Sequence, residues 1–203
     1  MKNITTALKM LLCMIALTGI IYPFVVTAIA TLTMQNRASG SLLITEGEQK
    51  IIGSKFIAQK FTSDRYFWPR PSACDYDAEA SAGSNLGPTS SVLKKAIDER
   101  KAQIRKAHEL AETDPVPNEL LFASGSGLDP DISPKTAYFQ IARVAKARQL
   151  DPEEGKKVIK ALVDQCIRKR RFGFLGKPAV NVLELNMALD AKIDDSKLGL
   201  QND

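Results

Sequence analysis

Ser124-Gly125-Ser126-Gly127-Leu128-Asp129 has the small side chains of a loop able to wrap a phosphate. A phosphate loop also needs a lysine followed by Ser or Thr behind its glycines, to neutralise the phosphates and hold magnesium. Neither follows here, so the segment reads more simply as a flexible connection between helices. Asp75, Asp77 and Glu79 have the oxygen ligands of a cation site, yet no turn glycine and no distal bidentate glutamate complete a calcium loop. A solvated acidic loop is the plainer reading. His108 is the sole histidine, which leaves no Ser-His-acid triad and no Cys/His metal spacing. We read it as an exposed helix residue. Arg168-Lys169-Arg170-Arg171 is the densest basic run. It suits a nucleic-acid or lipid patch, and more simply a helix C-terminus whose cations face the dipole and solvent. Tyr66-Phe67-Trp68 fits a binding platform, core packing or an interfacial aromatic. No catalytic residue, metal ligand or cofactor site emerges from these types and spacings.

The elements carrying these residues change character along the chain. Leu42 to Thr45 and Gln49 to Ile52 are β-prone runs around Glu46-Gly47-Glu48 and predict a hairpin. Phe56 to Trp68 is aromatic-rich and predicts another extended piece. Pro69 to Ser91, full of Pro, Gly, Ser, Asn and Asp, predicts a long loop of the kind that carries function or disorder. Helical spacing then appears from Val92 to Glu112, with a short helical piece from Asn118 to Ala123. Ser133 and Pro134 predict a helix N-terminus, with Arg143, Lys146 and Arg148 later as dipole-facing basics. Asp151 to Glu154 and Asn181 with Glu184 repeat the capping-box pattern. The expected class is α+β: one N-terminal transmembrane helix, then one domain with a small sheet or hairpin and several helices.

Met10 to Asn36 contains no charged side chain and is long enough to cross a bilayer. Gly19 and Pro23 inside it are tolerated in lipid. A cleaved signal peptide is the rival, with Lys2 and Lys9 as its positive region and Ala28-Ile29-Ala30 as its cleavage site. The apolar stretch before that site, roughly 18 residues, exceeds the usual length of such a core. The expected layout is a cytoplasmic stub at 1–9, a membrane helix at 10–35 and an extracytoplasmic domain at 36–203. Lys2, Lys9 and the terminal amine favour an inside N-terminus. Cys13 lies in the apolar helix, and Cys74 and Cys166 can pair in an oxidising compartment without their spacing demanding it. The chain has 203 residues and net charge +5; about 165 residues beyond the helix suffice for one core.

Six ordered blocks together resemble the C subunit of the bacterial Kdp potassium-transporting ATPase. They are Thr18-Gly19-Ile20-Ile21-Tyr22-Pro23 in the helix, Gly40-Ser41-Leu42 with Gly53-Ser54, and Tyr66-Phe67-Trp68-Pro69-Arg70-Pro71-Ser72-Ala73. Ala82-Gly83-Ser84-Asn85-Leu86-Gly87-Pro88 follows, then Ser126 to Pro130 with Ile132-Ser133-Pro134 leading into Gln140 to Arg148, and finally Gly176 to Asn186. Ala58, Ala82, Gly125 and Asp131 depart from the family pattern.

The resemblance implies a non-catalytic accessory subunit of a high-affinity, ATP-driven potassium uptake complex in the bacterial inner membrane. ATP and potassium would be handled by the complex. Its implied partners are a channel-like potassium-translocating subunit, a P-type ATPase subunit and a small membrane subunit, with no nucleic acid. The family is described as a catalytic chaperone that raises the ATPase subunit's affinity for ATP. That role needs cytoplasmic contact, whereas the charge at the helix ends places this domain outside. The resemblance therefore favours assembly and stabilisation. It marks Gly125, Ser126, Gly127, Leu128, Asp129, Gln140 and Arg143 as contact residues, Thr18, Gly19, Tyr22 and Pro23 as a helix interface, and Arg70, Pro71, Ser72, Ser84 and Asn85 as a motif loop. The alternative is a signal-cleaved periplasmic binding protein, whose mature chain would begin at Thr31.

Overall fold

A computed structural model of the chain describes residues 2–44 and 50–199. It is α+β and divides into two compact units, 1–54 and 55–203.

The first unit opens with a continuous helical run, of which Asn3–Thr33, 31 residues, is long and apolar enough to span a membrane. It comprises α1 (Lys2–Ile15), a wider π-helical segment (Ala16–Ile21) and α2 (Tyr22–Thr33). The widening has a local cause. Pro23 has no N–H for the carbonyl four residues back, and its ring crowds that turn. Just before it, the Tyr22 N–H donates to the Leu17 carbonyl, five residues back, so the helix enters the proline with a looser turn. The Thr18 hydroxyl donates to the Met14 carbonyl at 2.7 Å and satisfies a further backbone acceptor. A short α3 (Gln35–Ala38) follows. Then β1 (Leu42–Ile44) pairs antiparallel with β2 (Ile51–Ser54), the expected hairpin; its Glu46-Gly47-Glu48 turn lies outside the described residues.

The second unit holds α4 (Ser91–His108), a 3₁₀ turn (Asn118–Leu120), β3 (Asp131–Ile132), α5 (Pro134–Ala147), α6 (Glu154–Cys166), β4 (Ile167–Arg168), β5 (Ala179–Asn181) and α7 (Val182–Gly199). The three strands form an antiparallel sheet in the order β3-β5-β4. Their brevity hid them from a pattern search, since two or three residues cannot show alternation. On α6 the buried Ile159, Leu162 and Val163 recur at helical spacing, with Lys156, Lys157 and Lys160 outward. They join Ala137, Ile141 and Val144 of α5, Val180 of β5 and Leu185, Leu189 and Ile193 of α7 around the fully buried Phe67. A smaller cluster of Ile104, Leu120 and Leu121 takes in Trp68, Val116 and Phe139.

The caps are as expected at two helices. The Ser133 hydroxyl accepts from the Thr136 N–H, and Asn181 Oδ1 accepts from the Glu184 N–H at 3.0 Å. At α6 the cap is Asp151, whose Oδ1 accepts from the N–H groups of Glu153 and Glu154. The Glu154 side chain turns to Lys157 rather than back to close a capping box.

Other expectations fail. The stretch Phe56 to Trp68 forms no strand, for a reason given below. Helix α4 stops at His108, short of Glu112, because Glu109 turns left-handed (φ 54°) and Leu110 N–H returns to the Arg105 carbonyl. The Arg168–Arg171 run is not a helix end: α6 finishes at Cys166, Arg168 lies in β4 and is ion-paired with Asp131, and Arg171 bridges to Leu175. His108 is half-buried rather than exposed. Cys13, Cys74 and Cys166 are free thiols.

Candidate functional site

Two groups of side chains gather the residues singled out above. The first joins the loop after Trp68 to the Ser124–Asp129 segment. Arg70 Nη1 donates to Asp129 Oδ2 at 2.9 Å, and Asp129 Oδ1 accepts from the Asp131 N–H. The Ser124 N–H donates to the Pro71 carbonyl, and the Ser81 hydroxyl to the Ser126 carbonyl. Ser72 Oγ accepts from the N–H groups of Cys74 and Tyr76, which winds the loop into a tight turn. The Tyr76 hydroxyl donates to the Arg70 carbonyl at 2.8 Å. Burial pushes the Tyr76 hydroxyl up to about 12, so it stays a donor. These bonds make a clasp between two loops that the sequence presents as mobile connections.

Gly127 sits at the closure of the clasp. Its φ is +71°, and a Cβ there would lie 2.5 Å from Cys74 Sγ and 2.7 Å from the Ala82 carbonyl oxygen. Only glycine fits both the conformation and the space. Gly125, by contrast, faces nothing within 4 Å, so a methyl group there would be tolerated. Leu128 is half-buried, and its carbonyl accepts from the Ala58 N–H. Ser84 and Asn85 are exposed beside Gly83, whose own close approach to the Gly125 carbonyl ties the loop down.

The second group surrounds Tyr66-Phe67-Trp68 and explains the missing strand. Gln140 Oε1 accepts from the Trp68 N–H at 2.8 Å, and its Nε2 donates to the Trp68 carbonyl at 3.0 Å. Asn186 does the same for Phe67, with 2.8 Å from N–H to Oδ1 and 3.0 Å from Nδ2 to the carbonyl. Two carboxamides, one from α5 and one from α7, thus supply the bonds that a partner strand would make. Both are buried. The segment is threaded between helices, with Phe67 in the core and Trp68 at its edge.

Arg143 completes this group. The sequence reading took it, with Lys146 and Arg148, as basics suiting the negative end of the helix dipole; Lys146 lies exposed in the last turn, paired with Glu109, and Arg148 is the C-cap, but Arg143 and Arg148 are buried. Arg143 Nη1 donates to the Asp64 carbonyl, Nη2 to the Tyr66 carbonyl and to Gln140 Oε1, and Nε to His108 Nε2 at 3.1 Å. Its guanidinium lies 4.1 Å from the centre of the Trp68 ring. Burial draws its pKa down to about 10, which leaves it charged at neutral pH. His108 stacks on Phe139 with ring centres 4.5 Å apart. Burial, and then the Arg143 charge, lower its pKa to about 4, so the neutral ring serves as the acceptor for Arg143.

Arg148, which the sequence reading took only as a dipole-facing basic, has a wholly buried side chain. Its Nε donates to the Arg65 carbonyl and its Nη2 to Asp190, which also accepts from the Tyr66 hydroxyl. A signal was available, because Ala137, Ile141, Val144 and Arg148 fall on one helical stripe, and Gln140 lies beside it. Asn186 and Glu119 were missed as well. Glu119 receives the Thr136 hydroxyl and the Ser133 N–H; burial pushes its carboxyl up, but these bonds and the Arg70 charge hold it below the usual range. Clefts of about 290 and 620 Å³ flank Trp68, the first lined by Pro71, Tyr76, Arg100 and Ile104, the second by Asp64, Lys106 and Arg143.

Residues 4–191 match the family model described as the K+-transporting ATPase, c chain. The chain belongs to the KdpC family. A potassium-transporting ATPase KdpC subunit from Serratia proteamaculans is 48% identical over 194 residues, covering 94% of this chain and 99% of the relative. One from Citrifermentans bemidjiense is 45% identical over 193 residues, with 94% and 97% covered. One from Leptospira interrogans is 46% identical over 190 residues, with 93% and 94% covered. The KdpC match extends through both groups of side chains and through the Thr18-Gly19 and Tyr22-Pro23 turn of the membrane helix.

Proposed function

We propose that this chain is a non-catalytic accessory subunit that assembles and stabilises the potassium-transporting ATPase of the bacterial inner membrane. The observation that carries the reading is where the polar family residues spend their bonds. Arg70, Asp129, Gln140 and Arg143 are engaged with one another or with backbone, which builds a rigid shape. The helix at 10–35 spans the membrane with residues 1–9 cytoplasmic and 36–203 outside, in keeping with Lys2 and Lys9 at its start. Phosphorylation and ion conduction belong to the P-type and channel-like partners, with the soluble unit near the potassium entrance. Gly125 to Asp129, Ser84 and Asn85 form its contact surface, held by the bonds of Asp129 to Arg70, of Ser126 to Ser81 and of Leu128 to Ala58.

The helix contributes as well as anchors. A Cβ on Gly19 would meet only Ile15 Cγ2 at 4.0 Å, so the helix itself does not require glycine there. A glycine that its own helix does not need suits close approach of another membrane helix. Gly19→Leu is expected to insert in the membrane normally while losing co-purification with the ATPase and channel-like subunits in mild detergent. Unchanged co-purification of Gly19→Leu, together with unchanged assembly and potassium uptake in an Asp129→Ala/Gln140→Ala double variant, would overturn the reading.

A further inference from the structure

The two most exposed large apolar side chains among the described residues of the second unit, Phe172 and Phe174, lie at one tip with Leu175. Phe172 is 87% exposed, Phe174 75% and Leu175 56%. The tip is a built turn. Arg171 and Leu175 exchange both backbone hydrogen bonds at 2.9 Å, and Phe172 and Gly173 take left-handed φ values of 53° and 80°. A Cβ on Gly173 or Gly176 would meet nothing within 4 Å, so the turn stands clear of the core. Cations flank it on both sides: Arg168, Lys169, Arg170 and Arg171 before, Lys177 after, with no acidic residue from Ile167 to Leu183. Arg168 is paired with Asp131; the other four are exposed, with no ion pair among the described residues.

We propose that the 168–177 tip inserts Phe172 and Phe174 into the interface of an anionic bilayer, with Lys169, Arg170, Arg171 and Lys177 on the lipid phosphates. Charge complementarity carries the choice of occupant: aromatic side chains at the apex and cations on the shoulders match acyl chains beneath anionic headgroups. Size argues the same way. Three apolar side chains on a convex turn fall well short of the ~800 Å² that each partner buries in a standard protein interface, whereas interfacial insertion needs no matching pocket. The spanning helix of the same chain keeps the tip at high effective concentration near a bilayer, so weak individual contacts suffice. The proposal rests on the anchor but not on the assembly role.

The test uses the full chain carrying Phe174→Trp, reconstituted in vesicles of equal parts phosphatidylcholine and phosphatidylglycerol with brominated acyl chains. The wild-type chain, whose sole tryptophan is Trp68, provides the background. Flotation with the vesicles reads the anchor separately. The expected result is added emission that is blue-shifted and quenched by the bromolipid, weaker in pure phosphatidylcholine and reversed by high salt. Replacing Lys169 and Lys177 by Gln should lower the docked-to-free ratio about fivefold per cation, or roughly 25-fold together. Water-like, unquenched emission in the anionic vesicles overturns the proposal. So does a blue shift that appears only when the other ATPase subunits are added, which would make the tip a protein contact.

Discussion

Gln140→Leu is the most direct perturbation of the arrangement at Trp68. Leucine has nearly the right volume and is at home on the buried stripe of α5, so a side chain that merely filled space would be replaced at little cost. The structure predicts otherwise. Three hydrogen bonds vanish: Trp68 N–H to Oε1, Nε2 to the Trp68 carbonyl, and Arg143 Nη2 to Oε1. Arg143 retains the Tyr66 and Asp64 carbonyls, whereas both peptide groups of Trp68 lose the side chain that satisfied them. Each buried group left unsatisfied costs about 1–3 kcal/mol. Set against about 1 kcal/mol for the extra apolar burial, the net is about 3 kcal/mol. For a domain of roughly 150 residues that corresponds to a fall in Tm of about 6–12 °C.

The chain carries its own probe, since Trp68 is the sole tryptophan. Urea unfolding followed by Trp68 emission, in mild detergent, reads both global stability and the local environment of the ring. Gln140→Glu should fall between wild type and Gln140→Leu. It keeps an acceptor for the Trp68 N–H and for Arg143 and loses only the donor to the Trp68 carbonyl. A Gln140→Leu variant within 0.5 kcal/mol of wild type, as a rough threshold for a surface-like effect, with an unchanged emission spectrum, would refute the claim that carboxamides stand in for a strand.

Three further outcomes follow from the same geometry. His108 has its folded pKa lowered to about 4 from an ordinary 6.5, so the unfolded chain binds more protons between those values. Stability from this group is therefore full above pH 6.5 and falls as pH drops toward 4. The loss is at most about 3 kcal/mol, and about 1–2 kcal/mol after allowing for its exposed edge. His108→Gln should flatten the pH profile of the urea midpoint in that window. Gly127→Ala should cost about 2–4 kcal/mol through its left-handed φ and its collision with Cys74 and the Ala82 carbonyl, and should speed proteolysis near Ala82. Gly125→Ala, in open space, should change the urea midpoint little. Arg148→Met should cost about 2–4 kcal/mol by orphaning the Arg65 carbonyl and Asp190, and a double-mutant cycle with Asp190→Asn should show coupling above about 1 kcal/mol.

What the sequence disclosed was local. The caps at Ser133 and Asn181, the stripes of α5 and α6, the first hairpin and the apolar helix all depend on neighbours within a few residues, and all are present. The sheet β3-β5-β4 depends on pairing across tens of residues by strands too short to show a period. The partners of Phe67 and Trp68 are 119 and 72 residues away, and nothing near Tyr66 announces that helices rather than a strand will receive them. His108 looks exposed in sequence because its helix is mostly charged; Phe139 and Arg143, from another helix, cover it. The family blocks did flag Gln140, Arg143, Arg70 and Asp129, though not what each one binds.

The sequence spacing of these bonds accounts for the scattered look of the family blocks. Arg70 reaches Asp129 across 59 residues, Trp68 reaches Gln140 across 72, Phe67 reaches Asn186 across 119, and Asn181 Nδ2 reaches the Lys55 carbonyl across 126. Except for Lys55, every residue in those pairs belongs to one of the blocks, and each bond joins two different elements. A catalytic constellation would converge on one open cleft. These bonds instead close on backbone groups and on one another, and the buried ones leave little freedom for alternative packings. A polar network of that kind fixes one arrangement of α5, α7 and the two clasped loops. Its product is a shape. The exposed residues it holds still run from Ser84 and Asn85 to Gly125 and Ser126.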